Sequence, residues 1–387
     1  GKHVDYGGGI SMTCAIEEGI TADVERIDVE VIDLEDRRTG RRARVPLRRD
    51  ARPGGAHGGT YIAAVARRLA RDFGPLRHGV RVVSESTLPR SAGLSSSSAF
   101  VTMLTLAVAE ANELTSRPDW TRYLGEPLAL AEYCGAVETG GAFGPWSGER
   151  GVGTRGGAQD HVAILCNADG RVGVYGYLPA RAVGDAAFPR HWALLVATSG
   201  VRATKTGAAQ ADYNRAADLV HGLLTRWNAV ERRHDRSLAA ALSSAPDARA
   251  RLDRLVQASS DAPLLSVRLT QFQREVDVVV PGALAAMRNG DASALRRWAV
   301  ESQQGAELAL RNQISETMFL ARAALSAGAH AASAFGAGFG GAVWAICDAA
   351  DADALRDRWR ALYASSHPAR AAKSEWLRLQ PSAGVRW

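Results

Sequence analysis

The chain has 387 residues, a net charge of +6 and 46% hydrophobic residues, enough to bury two sizeable cores and consistent with about two domains. No run of about 18 apolar residues occurs, so no bilayer-spanning helix is expected, and the start at Gly1 lacks the basic stretch and apolar core of a secretion signal. Cys14, Cys134, Cys166 and Cys347 are scattered, with no pair at metal-ligand spacing; free thiols in a reducing compartment, the cytoplasm, are the expectation.

Residues 10–49 read as strands. Within them Ile27, Val29 and Val31 alternate ahead of Arg37, Arg38, Arg41, Arg42 and Arg44, which surround Thr39-Gly40. That pattern predicts the solvated tip of a hairpin, and with no aromatic residue interleaved to stack bases it predicts no nucleic-acid partner. A helix is expected over 60–73, a strand over 79–87, and helices over 96–115 and 126–137. Strands follow at 162–166 and 172–177. The Ala-, Gly- and Pro-rich stretch 179–190 suggests a boundary between domains 1–185 and 186–387. Beyond it, 192–197 reads as a buried strand, 206–227 and 315–327 as helices, 331–335 and 342–347 as strands, and 352–364 as a helix.

The segment Pro89-Arg90-Ser91-Ala92-Gly93-Leu94-Ser95-Ser96-Ser97-Ser98-Ala99 joins the strand at 79–87 to a long apolar helix. Its serines therefore fall at a helix N-terminus, where unpaired N–H groups and the positive dipole end favour an anion such as phosphate. The chain opens on Gly1-Lys2-His3-Val4-Asp5-Tyr6-Gly7-Gly8-Gly9, carries Gly157-Ala158-Gln159-Asp160-His161 in its middle, and has Ser333-Ala334-Phe335-Gly336-Ala337-Gly338-Phe339-Gly340-Gly341 near its end.

In this order the opening, serine-rich and late glycine-rich segments resemble motifs one, two and three of the GHMP small-molecule kinases. Gly-Lys-His-Val-Asp-Tyr is similar in detail to the galactokinase signature Gly-Glu-His-x-Asp-Tyr, and the segment around Asp160 resembles the galactokinase stretch that carries the catalytic aspartate. The resemblance spans residues 1 to 341. It implies an α+β, two-domain fold with an N-terminal ribosomal-protein-S5-domain-2-like half, a C-terminal ferredoxin-like half and the active site in the cleft between them. The implied activity is ATP-dependent phosphorylation of a sugar at its anomeric hydroxyl.

Phosphoryl transfer needs positioned phosphates, a divalent cation and an aligned hydroxyl. By resemblance, Gly93, Leu94, Ser95, Ser96, Ser97 and Ser98 hold ATP, with Gly336 and Gly338 of the third motif. Ser97 matches the magnesium-binding serine, and Glu138 is its carboxylate partner, with Glu149 as a rival because the stretch 140–157 reads as an insertion. That insertion is either an exposed loop or a lid. Asp160 is implied as general base or electrostatic anchor. His3 and Asp5 are implied to bind the sugar, and Tyr213, in Tyr213-Asn214-Arg215, to wall it; Lys205 is a further candidate near it. A sugar and ATP are the expected partners, with no membrane and no obligate protein partner.

Two departures stand out. The arginine that in galactokinases lies a few residues before the opening motif has no counterpart in a chain beginning at Gly1, so either a segment precedes this sequence or the site lacks that partner. Lys2 stands where galactokinases carry glutamate near the sugar's C6 hydroxyl. Either it points to water, or an ammonium in place of a carboxylate turns the preference toward an anion, as on galacturonate. A non-catalytic sugar and nucleotide sensor on the same scaffold is the alternative to a kinase.

Overall fold

A computed structural model of the chain describes residues 1–54, 58–89, 92–203 and 210–385. A 3-10 turn (Asp5–Gly7) precedes strands β1 (Ile10–Thr13), β2 (Ala15–Ile16), β3 (Ile20–Ile27), β4 (Val31–Asp36) and β5 (Arg42–Pro46), helix α1 (Gly59–Asp72), strand β6 (Gly79–Ser86) and helix α2 (Ser96–Ala111). Helices α3 (Pro118–Leu124), α4 (Pro127–Thr139) and α5 (Gln159–Cys166) follow, then strands β7 (Arg171–Gly176), β8 (Arg181–Ala187) and β9 (Trp192–Thr198). A run of helices comes next: α6 (Gln210–Glu231), α7 (Leu238–Leu242), α8 (Ala248–Gln257), α9 (Ala262–Arg274), α10 (Val280–Asn289), α11 (Ala292–Gly305) and α12 (Ser315–Ser326). Strands β10 (Ala331–Ala334) and β11 (Ala342–Asp348), helices α13 (Ala352–Ser366) and α14 (Pro368–Ala371), and strands β12 (Trp376–Leu379) and β13 (Pro381–Ser382) complete the order.

By contacts the chain divides into two compact units, each assembled from separated stretches. Unit 1 comprises Gly1–Glu17, Pro89–Leu94 and Asn167–Gly384; unit 2 comprises Glu18–Leu88, Ser95–Cys166 and the chain end from Val385. Residues 185 and 186, where composition suggested a boundary, both lie in β8, and its ladder with β7 holds them inside unit 1.

Unit 2 is built on the sheet β3-β6-β4-β5, antiparallel except for the β4–β6 pair. The arginine-rich residues 37–40 form the β4–β5 turn and are exposed, as the hairpin pattern predicts. Ile32, Val45, Val80 and Val82 meet Ile62, Leu69, Val101, Leu104 and Val108 in one core. Burial of each such side chain contributes roughly 1.5–3 kcal/mol. Helix α2 is buried on most of its circumference, which makes it the central helix of this unit and fixes its N-terminus rigidly. It stops at Asn112, whose side chain donates back to Val108 O at 3.0 Å and accepts from the N–H groups of Arg77 and His78 at 3.0 and 3.1 Å.

The stretch 162–166, expected as a strand, is the body of α5. Its short apolar run carries no period that separates the two states, and Asp160 in the first turn favours the helix through the dipole.

Unit 1 holds the sheet β10-β11-β9-β12, all antiparallel. Strand, helices, two strands, helix and strand along the chain, with the strands in that spatial order, form the ferredoxin-like arrangement implied by the resemblance. Trp359 and Tyr363 of α13 pack beneath it, and the Trp359 indole N–H donates to Leu320 O at 3.0 Å. The remaining helices carry two π-helical turns, Glu275–Val279 and Ala306–Leu310. The first has a local cause: Pro281 lacks an N–H, and its ring would clash with the carbonyl four residues earlier.

Candidate active site

The serine-rich segment occupies the place its pattern predicts, at the leading end of α2; Arg90 and Ser91 lie outside the described residues, as does Lys205. Gly93 has φ +75° with no atom within 4 Å of where a Cβ would stand, so the turn is open on that side. Ser95 is also left-handed, φ 58°, a conformation that costs a residue with a Cβ roughly 1–2 kcal/mol. Ala99 N–H donates back to Ser95 O at 2.9 Å, so the N–H groups of the preceding turn have no intrahelical acceptor. Ser96 and Ser97 are half-buried and Ser98 is buried. The chain passes from unit 1 to unit 2 between Leu94 and Ser95.

Within unit 2, the serine segment, Glu138 and Asp160 come together. Ser98 Oγ donates to Glu138 Oε2 at 2.9 Å and lies 3.5 Å from Asp160 Oδ2. It is therefore Ser98, one residue beyond the serine implied by the resemblance, that touches the carboxylate. The Ser97 hydroxyl, half-buried in the first turn of α2, makes no hydrogen bond among the described residues. Glu138 is the penultimate residue of α4, which starts on Pro127 and ends at Gly140, whose left-handed φ of 85° lets its N–H close on Ala136 O at 2.8 Å. Asp160 is half-buried in the first turn of α5.

Glu149, the rival carboxylate, is engaged elsewhere: Arg67 Nε donates to it at 3.2 Å in a largely buried pair. The insertion around it is pinned rather than loose. Arg67 also donates to Gly151 O, Arg71 to Gly148 O and Arg68 to Gly141 O, while Trp146 packs among Phe73, Tyr123 and Tyr133.

The donors around Ser98 are all oxygens, carboxylate and hydroxyl, which suits a hard cation. Among the described residues no group of three or more His, Cys, Asp or Glu could hold a metal by itself. One or two carboxylates completed by phosphate oxygens is the usual way magnesium is bound, so the donor set fits that ion.

In unit 1, the opening motif forms a tight turn over α9. His3 is left-handed at φ 57°, Asp5–Gly7 makes the 3-10 turn, and Gly8, at φ 77°, closes it by donating to Asp5 O at 2.9 Å. Arg268, 1% exposed, clamps this turn: its guanidinium donates to His3 O, to Tyr6 Oη at 3.1 Å, to Ala216 O at 3.2 Å and to Gln271 Oε1. Burial pushes the Tyr6 hydroxyl well above its ordinary range, so it stays protonated beside His3 Nδ1 at 3.0 Å. The Tyr213 ring lies against the His3 ring with centroids 5.7 Å apart, and Asp5 is half-buried.

Lys2 does not point to water. It is 7% exposed, and its ammonium donates to Ser333 Oγ at 2.7 Å and Gln303 Oε1 at 3.2 Å. Burial lowers its pKa to about 8 against the opposing pull of Glu275 and Glu307, which belong to the two π-helical turns. Its third N–H has no partner among the described residues. Ser333 lies on β10, so motifs one and three meet through this contact.

The glycine-rich turn between β10 and β11 is folded around Asn312. Asn312 Nδ2 donates to Gly336 O at 2.9 Å, Phe339 N–H donates to Asn312 O at 2.6 Å, and a Cβ on Gly338, φ +73°, would lie 2.2 Å from that same oxygen. Gly336 is open, with no atom within 4 Å of a Cβ position. Gly341 sits against Ala92 of the phosphate segment, a Cβ there falling 2.7 Å from Ala92 O.

Residues 60–142 match the family model for the GHMP kinase N-terminal domain, and residues 283–365 match that for the GHMP kinase C-terminal domain. The chain carries both domains of a GHMP kinase. GHMP kinases are ATP-dependent kinases acting on sugars and mevalonate. No curated protein matches the chain by sequence. Among solved structures, it is similar to Lactococcus lactis galactokinase, solved with galactose, at 18% identity and a TM-score of 0.76, covering 99% of this chain and 91% of that one. It is also similar to L. major mevalonate kinase, solved with R-mevalonate, at 15% identity and TM-score 0.57, covering 100% and 93%. A third is the D-glycero-D-manno-heptose 1-phosphate kinase from Bacteriodes thetaiotaomicron, at 12% and 0.54, covering 98% and 90%. At these identities the likeness speaks for the fold of a GHMP kinase.

Gln303, Arg268, Asn312, Thr102 and the role of Ser98 escaped the sequence reading. All are polar residues buried within or beside helices, and in a single sequence nothing separates them from polar residues on a solvated face. The pinning arginines Arg67, Arg68 and Arg71 had one visible signal, their spacing along a helix, and nothing local tied them to a glycine-rich insertion beyond α4.

Proposed function

We propose that this GHMP kinase phosphorylates a monosaccharide at its anomeric hydroxyl with ATP and magnesium, and that the sugar is galactose or a C6 variant such as galacturonate. The observation that carries the reading is the joining of Ser98, Glu138 and Asp160 at the N-terminus of α2. A helix start with unpaired N–H groups, an oxygen-only donor set and a second carboxylate are what phosphoryl transfer requires of a protein. On this reading Gly93 through Ser98 hold the phosphates, Glu138 with Ser97 or Ser98 holds magnesium, and Asp160 aligns the sugar hydroxyl and takes its proton. Magnesium would supply charge neutralisation on the phosphate oxygens. His3, Asp5 and Tyr213 of unit 1 face the sugar.

The buried ammonium of Lys2, with one N–H uncommitted, supports an electron-rich group on the substrate near it. Free thiols, two of them buried and Cys14 and Cys166 half-buried, fit a cytoplasmic enzyme. Among the described residues no helix is long and apolar enough to cross a membrane.

The test is ADP release from ATP and magnesium against a panel of hexoses and uronic acids, with the phosphate position of the product read by phosphorus NMR. Turnover yielding a sugar 1-phosphate supports the proposal. Saturable sugar and ATP binding without turnover supports a sensor instead. Turnover of galactose and galacturonate by the native protein and by Lys2→Glu addresses the substrate: an unchanged preference removes Lys2 from its choice.

A further inference from the structure

We infer that His161 is a positioning residue for the Glu138 carboxylate, holding it by a hydrogen bond from Nε2 whose direction is set by Thr102. The inference rests on the reading of Glu138 as the magnesium carboxylate. His161 follows Asp160 in the first turn of α5, is 1% exposed, and has both ring nitrogens engaged: Nε2 lies 3.0 Å from Glu138 Oε2, and Nδ1 lies 3.2 Å from Thr102 Oγ1.

The proton positions follow from the partners. An ionised carboxylate only accepts, so the hydrogen between His161 and Glu138 sits on Nε2. In a neutral ring Nδ1 is then an acceptor, and the Thr102 hydroxyl donates to it. The Cys134 thiol, pushed up to about 12 by burial and within hydrogen-bond reach of Thr105 and Thr102, stays protonated and does not compete as a base. On the other side, Ser98 donates to the same Oε2 at 2.9 Å. Two donors of different origin, one from α2 and one from α5, converge on one oxygen of a carboxylate carried by α4. They fix the plane of the carboxylate through three helices of unit 2.

Such support is what a metal-ligating carboxylate needs. A partner that orients it, when removed, typically costs 10- to 100-fold in metal affinity. A histidine present only to fill the core would have no requirement for an N–H at the Nε2 position, and a glutamine side chain would serve it no better than a leucine.

The experiment compares His161→Leu, His161→Gln and Glu138→Gln with the native chain. Binding of Mn²⁺ to the chain, titrated without nucleotide because ADP itself chelates the ion, is read from the electron paramagnetic resonance signal of the free ion, with circular dichroism confirming the fold. Glutamine carries an amide N–H at nearly the Nε2 position. We expect Mn²⁺ affinity to fall at least tenfold in His161→Leu and to stay within about threefold of native in His161→Gln, while the KM for sugar changes less than twofold in both. Native Mn²⁺ affinity in a folded His161→Leu, alongside a clear loss in Glu138→Gln, overturns the role of His161 and leaves the metal reading standing. An equal loss in the leucine and glutamine variants also overturns it, because the N–H then does not matter. Unchanged Mn²⁺ affinity in Glu138→Gln overturns both.

Discussion

The cluster around Glu138 in unit 2 and the cluster around Lys2 in unit 1 are both buried and polar, yet they are built from opposite inventories. Around Glu138 each donor points at a carboxylate oxygen, and a second carboxylate, Asp160, stands beside the shared serine. Around Lys2 a desolvated ammonium leans on two neutral acceptors, with its acidic neighbours acting only through space. The first is short of positive charge and suits a cation; the second is short of acceptors and suits an electron-rich group. A kinase for small molecules needs both kinds of site, and here each lies inside one compact unit.

The largest expected effect sits in the acidic cluster. Asp160→Asn removes the charge and the basicity while keeping size, so kcat should fall by about 10²- to 10⁴-fold with the melting temperature little changed, as read by ADP release and calorimetry. A loss under threefold would place Asp160 outside the chemistry and leave unit 2 with a metal site only. In the basic cluster the corresponding break is Arg268→Met. It strips donors from the carbonyls of His3 and Ala216 and from Tyr6, all buried, and should cost roughly 3–5 kcal/mol in urea unfolding. Arg268→Lys should recover little, since an ammonium cannot reproduce the fork.

How much of this was legible follows the same division. The strand before Ser95 to Ser98 and the helix that carries them are local, and β6 and α2 stand where the residues alone put them. Glu138 stood out only through the resemblance, by its place ahead of the segment around Asp160, and its separation from Glu149 depended on Arg67, which comes from α1. Whether Ser97 or Ser98 meets Glu138 depends on which side of the first turn of α2 faces α4, and four identical residues carry no signature of that. The helices from α7 to α11, and with them Arg268 and Gln303, went unassigned although some carry an apolar stripe, such as Ala248, Leu252 and Val256 of α8 or Leu295 and Ala299 of α11, because each stripe spans only two or three turns. The two π-helical turns further shift the period midway. Lys2 was noticed only as a departure from a pattern; its burial comes from β10 and α11, hundreds of residues away.

A pH measurement sharpens the contrast at smaller scale. Lys2 has its pKa lowered to about 8 in the folded chain and lies near 10.5 when exposed. Below pH 8 both states carry the proton, and the folded state bears the full cost of burying the charge. Between about 8 and 10.5 the unfolded state binds the extra proton, so stability rises with pH across that window by on the order of 3 kcal/mol. Lys2→Met should flatten that part of the native profile in urea unfolding at pH 7.5 to 10.5. An identical slope in both proteins would mean that the ammonium is hydrated and not poised for a substrate.

The smallest effect distinguishes glycines that admit a ligand from those that pack. Gly93 and Gly338 share nearly the same positive φ, but the first faces open space and the second meets Asn312 O. Alanine at 93 therefore carries only the backbone cost, about 1–2 kcal/mol, with no clash. Alanine at 338 adds a contact that the turn must move to relieve, so its loss of stability should be larger. If the loop at Gly93 is open in order to admit a phosphate, Gly93→Ala should raise the KM for ATP by more than its modest loss of stability suggests, and the KM for sugar should stay near native. Equal changes in both constants would show a loosened fold rather than a blocked phosphate site.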